Sequence, residues 1–268
     1  KDSNIVSLFV EEVPIVNGVY VTSSGSNSEN QHQTNTTFSD KWINYSKEEI
    51  EKQERLFNFQ KKWYLDLYGF SQEEDFGVFL KKQTVILDAG CGLGYKAKWF
   101  ADLNPDALVV GMDYSDAAFV ARQRYADTKN LVFVKGDIAD TKLKNGTVSF
   151  VSCDQVIHHT DYPQNTMKEL SRVLQGAGEL AVYVYAKKAV PRELLDNYFR
   201  KETKKISSDD MWRLSEQLAE LGKKLSELDV EFESPDIPLL GIKGGKIDIQ
   251  RFIYWNFLKC FWNKELGW

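Results

Sequence analysis

The most constraining feature of the chain is Val85-Ile86-Leu87-Asp88-Ala89-Gly90-Cys91-Gly92-Leu93-Gly94. A run of strand-forming residues ends in an acid and passes into a Gly-x-Gly-x-Gly turn. Glycines there allow a tight turn and a close approach of backbone to ligand. Around it, strand and helix patterns alternate. Strands are expected over 84–87, 108–112, 131–134, 148–152 and 179–185, and helices over 95–103, 117–126 and 163–174. Such alternation predicts an α/β fold: a doubly wound, mostly parallel sheet with helices on both faces and few allowed topologies. On such a sheet, ligands bind at the carboxyl ends of the strands.

Two further acids occupy equivalent places. Asp113, in Gly111-Met112-Asp113-Tyr114-Ser115, ends the second strand 25 residues after Asp88. A carboxylate there can accept both hydroxyls of a ribose. Asp137, in Lys135-Gly136-Asp137-Ile138, follows the third strand. It can accept a bond from an exocyclic adenine amine, with Ile138 against the ring. Each acid alone has an ordinary alternative as a helix cap or turn residue. Acids ending three successive strands are harder to assign to turn chemistry.

This set of motifs over residues 84–185 resembles the class I S-adenosylmethionine-dependent methyltransferases of the type 11/12 kind. The charge logic agrees, because that cofactor carries a sulfonium and an ammonium but no phosphate. A pyrophosphate would be repelled by the same acids. The Gly-x-Gly-x-x-Gly dinucleotide fingerprint is also unmet at Tyr95. The resemblance implies S-adenosyl-L-methionine as cofactor and S-adenosyl-L-homocysteine as product. It places Asp88, Ala89, Gly90, Cys91, Gly92 and Gly94 at the methionine end. Asp113 and Tyr114 then lie at the ribose, Gly136, Asp137 and Ile138 at the adenine, and Asp154 and Gln155 beside the methionine. The segment Val156-Ile157-His158-His159-Thr160 is similar to one common in small-molecule methyltransferases, and implies that His158 or His159 lies near the acceptor. A neutral imidazole there can take a proton from an attacking hydroxyl or amine. Its alternative role is to bond the loop backbone, and in-line methyl transfer can proceed by alignment alone.

The flanks carry a narrower resemblance. Phe38 and Trp42 form a Phe-x-x-x-Trp opening similar to that of one bacterial group of these enzymes. The segment after the fifth strand is similar to that group's helical insert. From this follow four expected parts: a β-like segment and flexible linker over 1–36, helices over 37–83, the cofactor domain over 84–186, and a helical lid over 187–268. Tyr183, Tyr185, Lys188, Arg192, Arg251 and Tyr254 are the expected lid residues, with Phe38 and Trp42 closing the other side. For each taken singly, a core aromatic or a solvated charge is the simpler role. The chain begins at Lys1 and stops at Trp268, so it reads as a fragment lacking the last two strands. Strand 179–185 would then be a bare edge, shielded by the N-terminal hairpin, the last helix or a neighbouring chain in a homodimer.

Within these flanks, Asn17-Gly18 between apolar residues signals a hairpin. Residues 23–36 read as linker, Ser46-x-x-Glu49 as a capping box for a helix ending at Gly69, and Ser71-x-x-Glu74 as the start of a second helix. Ser207-x-x-Asp210 caps a helix with a stripe from Met211 to Leu228. Residues 235–246 read as loop and 247–262 as a last helix.

Composition narrows the class of function. There are 34 basic and 39 acidic residues, giving a net charge of −5. That excludes a broad electrostatic footprint for nucleic acid or an anionic membrane. No Asn-Pro-Pro-Tyr-type segment follows the fourth strand, and the apolar runs are far shorter than the ~20 residues of a membrane span. Three separated cysteines, Cys91, Cys153 and Cys260, fit neither a disulfide framework nor a cysteine zinc site, and no metal is expected. They suit a cytoplasmic setting. The expected function is methyl transfer from S-adenosylmethionine to a small-molecule acceptor. The alternatives are a cofactor-binding protein without transferase activity and a nicotinamide-dependent oxidoreductase.

Overall fold

The computed structural model describes residues 5–22, 28–264 and 266–267. These fall into two compact units, dividing between Tyr185 and Ala186.

The first unit is built on a seven-stranded sheet. Its elements are β1 (Ile15–Val16), β2 (Val19–Val21), α1 (Glu29–Tyr45), α2 (Ile50–Tyr68), α3 (Glu73–Leu80), β3 (Val85–Ala89), α4 (Tyr95–Leu103), β4 (Leu108–Asp113), α5 (Ala117–Arg124), β5 (Leu131–Lys135), β6 (Val148–Asp154), α6 (Pro163–Val173) and β7 (Leu174–Tyr183). The strand order is β1-β2-β5-β4-β3-β6-β7, parallel throughout except for the antiparallel β1–β2 pair. This is the α/β, Rossmann-like architecture expected from the alternation.

The period of two along each strand sends side chains to two cores. Leu87, Ala89, Val110, Met112, Val134, Val151 and Cys153 face one. Ile86, Val109, Phe133 and Phe150 face the other, with Tyr64, Phe76, Trp99 and Phe100. Asp88, two residues on from Ile86, therefore points to the aromatic side. There the Tyr64 hydroxyl donates to Ser152 Oγ at 3.1 Å. Tyr64→Phe should cost about 1 kcal/mol, the usual net worth of one buried hydrogen bond. Urea unfolding measures it, and an unchanged midpoint would mean the bond contributes nothing.

Several local expectations need correction. Residues 29–36 of the expected linker are the first turns of α1, while 23–27 lie outside the described residues. The helix starts because Ser28 Oγ accepts from Gln31 N at 3.1 Å, an N-cap. Ser46 is not an N-cap. It ends α1, donating to the Ile43 carbonyl, and α2 starts at Ile50. Gly69 does stop α2 in the left-handed conformation. β7 starts at Leu174, before the expected strand 179–185, and its register shifts against β6 there.

Asn17 and Gly18 both have positive φ and make the expected tight hairpin. That hairpin does not shield β7. It pairs with β5 at the opposite edge, Tyr20 against Val134. What β7 receives from the first unit is Trp63, edge-on to Tyr183 at 5.0 Å.

The second unit holds α7 (Val190–Thr203), α8 (Ser208–Glu227), β8 (Glu231–Ser234), β9 (Gly245–Asp248) and α9 (Ile249–Asn256). Ser207 caps α8 as expected, accepting from Asp210 N. The stripe on α8 is rotated from the expected one. Gly222 and Ser226 are buried, whereas Leu221 and Leu228 are exposed. The expected loop over 235–246 connects a strand pair and gives up only its last two residues to β9; β8 and β9 pair antiparallel with Phe232 opposite Ile247. The last helix is correspondingly shorter than expected, capped by Asp248 through Arg251 N at 3.0 Å.

Candidate functional site

Register brings the strand ends to one rim. Asp88 lies opposite Gly111 on β4 and Ser152 on β6, and Asp113 lies opposite Lys135. The turn after β3 is fixed by backbone. Gly90 N and Cys91 N both donate to the Met112 carbonyl, at 2.8 and 3.0 Å. Gly90 has φ +83°, and a Cβ there would lie 2.3 Å from Val156 Cγ2. Only glycine lets the β3 and β6 loops approach this closely.

Asp113 organises the turn. Its Oδ2 accepts from Gly92 N at 2.7 Å, and its Oδ1 accepts from Ser115 N and Ser115 Oγ at 2.9 and 2.6 Å. Burial pushes its carboxyl above the usual range, and these donors oppose the shift. Tyr114 follows, half-buried. At the next strand, Gly136 N donates to the Asp113 carbonyl at 3.0 Å. Asp137 Oδ1 accepts from Ala139 N at 2.8 Å, and Ile138 is buried beside it. Asp137 is also pushed upward by burial.

Asp88 is fully buried, and neither oxygen has an aligned hydrogen-bond donor. Its counterion is Lys96, 3.2 Å from Oδ1 as an ion pair. The same ammonium lies 3.8 Å from Asp154 Oδ2. Asp154 Oδ1 and the Tyr68 hydroxyl are buried there too, without hydrogen-bond partners. Gln155 turns the chain after β6 with φ +62°, a strained conformation for its type, and donates its N–H to the Tyr183 carbonyl at 3.3 Å.

The two histidines sit on a 3₁₀ turn, Ile157–His159. The His158 ring lies 4.0 Å from that of Tyr185 and 4.2 Å from that of His159. Both its nitrogens are buried and lack a hydrogen-bond partner. Burial lowers its pKa from the ordinary histidine value, so the ring is neutral at pH 7. His159 meets the Phe38 ring edge-on at 4.9 Å, and Tyr183 lies 6.0 Å from Tyr185.

Helix α1 crosses this rim. Ser28 Oγ donates to Asp161 Oδ2 at 2.5 Å, and Asp161 N donates to Gln31 Oε1 at 2.8 Å. Further along, Asp116 N donates to Ser39 Oγ at 3.2 Å. Trp42 covers the glycine turn, its ring 3.0 Å from where a Gly92 Cβ would be. Trp42 thus lies against the glycine turn and Phe38 against His159.

Of the remaining expected lid residues, Lys188, Arg192, Arg251 and Tyr254 lie in the second unit and are engaged within it. Arg192 is almost fully buried, its Nε 2.8 Å from Asp196, and it also donates to the Tyr254 carbonyl. Its guanidinium stands 5.1 Å from the centre of the Tyr254 ring. Lys188 Nζ lies 4.0 Å from the Trp255 ring. Arg251 is exposed and pairs with Asp248 at 3.4 Å. Arg192 is therefore a brace of the second unit.

Sequence reasoning missed Lys96, Tyr68 and the Ser28–Gln31 latch. Lys96 had a usable signal. It shares a helical face with Trp99, Phe100 and Leu103, a cation in an otherwise apolar stripe.

Residues 87–182 match the model of a family described as a methyltransferase domain. By that match, this stretch is similar to a methyltransferase domain. Sterol 24-C-methyltransferase of Aspergillus fumigatus is 32% identical over 108 residues, 39% of this chain and 28% of that protein. Malonyl-[acyl-carrier protein] O-methyltransferase of Legionella pneumophila is 35% identical over 94 residues, 35% of this chain and 33% of that protein. The crystal structure of an S-adenosylmethionine-dependent methyltransferase from Aquifex aeolicus aligns with a TM-score of 0.35 and 21% identity, covering 39% of this chain and 60% of that one. The chain spans about a quarter to a third of the length of the first curated relatives it matches. Among the described residues, no helix is long and apolar enough to cross a membrane.

The residues present fit S-adenosylmethionine. Buried carboxylate oxygens without donors await a positive group, and the positive-φ glycine turn is tied to the strand-end acid Asp113. The buried carboxylates would repel a diphosphate.

Proposed function

We propose that the protein is an S-adenosylmethionine-dependent methyltransferase acting on a small-molecule acceptor. The observation that carries this reading is the row of strand-end carboxylates with Asp88 buried and short of donors. Such a rim is built for a cationic, phosphate-free nucleoside. Asp113 would hold the ribose, Asp137 and Ile138 the adenine, and the 88–94 turn with Asp154 and Gln155 the methionine end. When bound, S-adenosylmethionine supplies an electrophilic methyl group on a sulfonium. The chain's own part is to orient and to exclude water. Trp42 and Phe38, latched through Ser28 and Gln31, cover the rim and shield it.

Isothermal titration tests the cofactor. S-adenosylhomocysteine and S-adenosylmethionine should bind and NAD should not. Binding of NAD alone would transfer the protein to the oxidoreductases.

His158 is the better placed of the two histidines to receive a proton, because both its nitrogens lack a partner and its ring is neutral. The sign is fixed by burial. A lowered pKa keeps the base form available below the ordinary histidine range, so activity should hold down to pH values under 6.5 before falling. His158→Gln should remove that acid limb from the pH–rate profile. A limb that survives the substitution belongs to another group.

A further inference from the structure

Lys96 occupies a place where an ammonium is costly. It is 6% exposed, on the α4 face that carries Trp99 and Phe100, with its Nζ 5.6 Å from the Tyr64 ring. Burying a charge costs several kcal/mol unless its partners return it, and an apolar residue of similar size usually packs there at least as well. The partners here are Asp88 at 3.2 Å and Asp154 at 3.8 Å. Two carboxylates against one ammonium leave a single negative charge unbalanced. The atoms left over, Asp88 Oδ2 and Asp154 Oδ1, are buried and accept no hydrogen bond.

We propose that Lys96 is a positioning residue for the cofactor's amino-acid end, bridging Asp88 and Asp154 so that the two carboxylates and the ammonium together present one net negative charge to a cationic ligand group. The inference rests on the methyltransferase reading above. Without Lys96, two buried carboxylates on adjacent strands would share a proton. A shared proton cancels the charge and competes with the ligand's cation. Groups facing this pair include Tyr64 and Tyr68 from α2, Cys91 from the glycine turn, Tyr95 from α4, Asp113 from β4 and Cys153 from β6. Burial raises Tyr64, Tyr68, Cys91 and Cys153, so these groups stay protonated and neutral. Burial also pushes Asp88 upward, and the nearby ammonium restrains that rise. Removing the ammonium must therefore raise Asp88 further.

The test is titration of the wild-type chain, Lys96→Met and Lys96→Arg with S-adenosylmethionine and S-adenosylhomocysteine, from about pH 5.5 to 8.5, the span between ordinary carboxylate and thiol titration. Wild type and Lys96→Arg should bind with little pH dependence. Lys96→Met should bind about tenfold more weakly at neutral pH and recover as pH rises and the shared proton leaves, a shift of one unit being worth about tenfold. Equal weakening at every pH would show a packing role and overturn the proposal, as would no weakening. Wild type that binds neither nucleoside would overturn the methyltransferase reading, and this inference with it.

Stability of the unliganded protein gives a second readout. An acid with a folded-state pKa above its unfolded value destabilises the fold as pH rises through that window. The thermal midpoint of Lys96→Met should rise on acidification relative to wild type. A variant unfolded at pH 7.5 should fold at pH 5.5. Midpoints that track wild type, or failure to fold at both, would overturn the role assigned to Lys96.

Discussion

Asp113→Ala is expected to weaken S-adenosylhomocysteine binding by about 10²–10³-fold. The estimate joins two losses. A carboxylate that accepts two ribose hydroxyls makes charge-assisted bonds of ~1.5–3 kcal/mol each, and part of that is recovered by water. The same carboxylate holds Gly92 N and Ser115 in place, so its removal also loosens the glycine turn before any ligand arrives. The unliganded variant should accordingly be about 1–2 kcal/mol less stable, from the backbone donors left without an acceptor. Asp113→Asn separates the two losses. It retains one acceptor oxygen and should bind about tenfold more weakly than wild type, with most of the stability kept. Titration calorimetry on variants with native circular dichroism decides it. Binding of Asp113→Ala within threefold of wild type would remove Asp113 from the ribose.

The strand–helix alternation of the first unit was legible because its local and global signals agree. Each parallel strand is an apolar run that stops at an acid or a glycine, so β3, β4, β5 and β6 stand out, and α4 falls on its expected residues, 95–103. The acids were legible for the same reason, since a strand end is visible in sequence and the rim is where strand ends meet. What was not legible depends on contacts between distant segments. Residues 29–36 are a polar tract, Glu-Asn-Gln-His-Gln-Thr-Asn-Thr, with no apolar period. They are helical because Ser28 caps them and because Gln31, Phe38 and Trp42 find partners on the loops of β3 and β6. The β8–β9 pair was hidden by the Pro and Gly residues between its strands, which read as a loop whatever lies on either side.

The histidines and Lys96 show the same limit inside the site. Sequence placed His158 and His159 on one loop. The separation comes from neighbours, His158 being packed against Tyr185 with its nitrogens buried, while His159 meets Phe38 of α1. Nothing adjacent in the sequence separates Lys96 from Lys98. Lys98 pairs with Asp102 near the surface, whereas Lys96, two positions away, faces two buried carboxylates. A helix rotates 100° per residue, so two positions apart is enough to exchange solvent for core.

Gly90→Ala is expected to destabilise the protein by about 2–5 kcal/mol and to impair cofactor binding with it. The backbone contributes first, since an L-residue at φ +83° costs ~1–2 kcal/mol. Packing contributes the rest. The new methyl would sit 2.3 and 2.5 Å from the two γ-carbons of Val156 and 2.9 Å from its Cβ, all on a short-range part of the chain that cannot swing aside freely. Overpacking of that kind costs ~1–3 kcal/mol. Val156 leads directly into the turn that carries His158, so the strain passes from the cofactor turn to the histidines. Adding Val156→Ala separates the two costs. It removes both γ-carbons and should restore about half the lost stability, leaving the positive φ and the remaining Cβ contact. Urea denaturation of the three variants, with S-adenosylhomocysteine titration alongside, measures both effects. Gly90→Ala within about 0.5 kcal/mol of wild type would mean that the β3 and β6 loops are not in contact at Gly90, for only a relaxed approach could absorb a methyl group so cheaply.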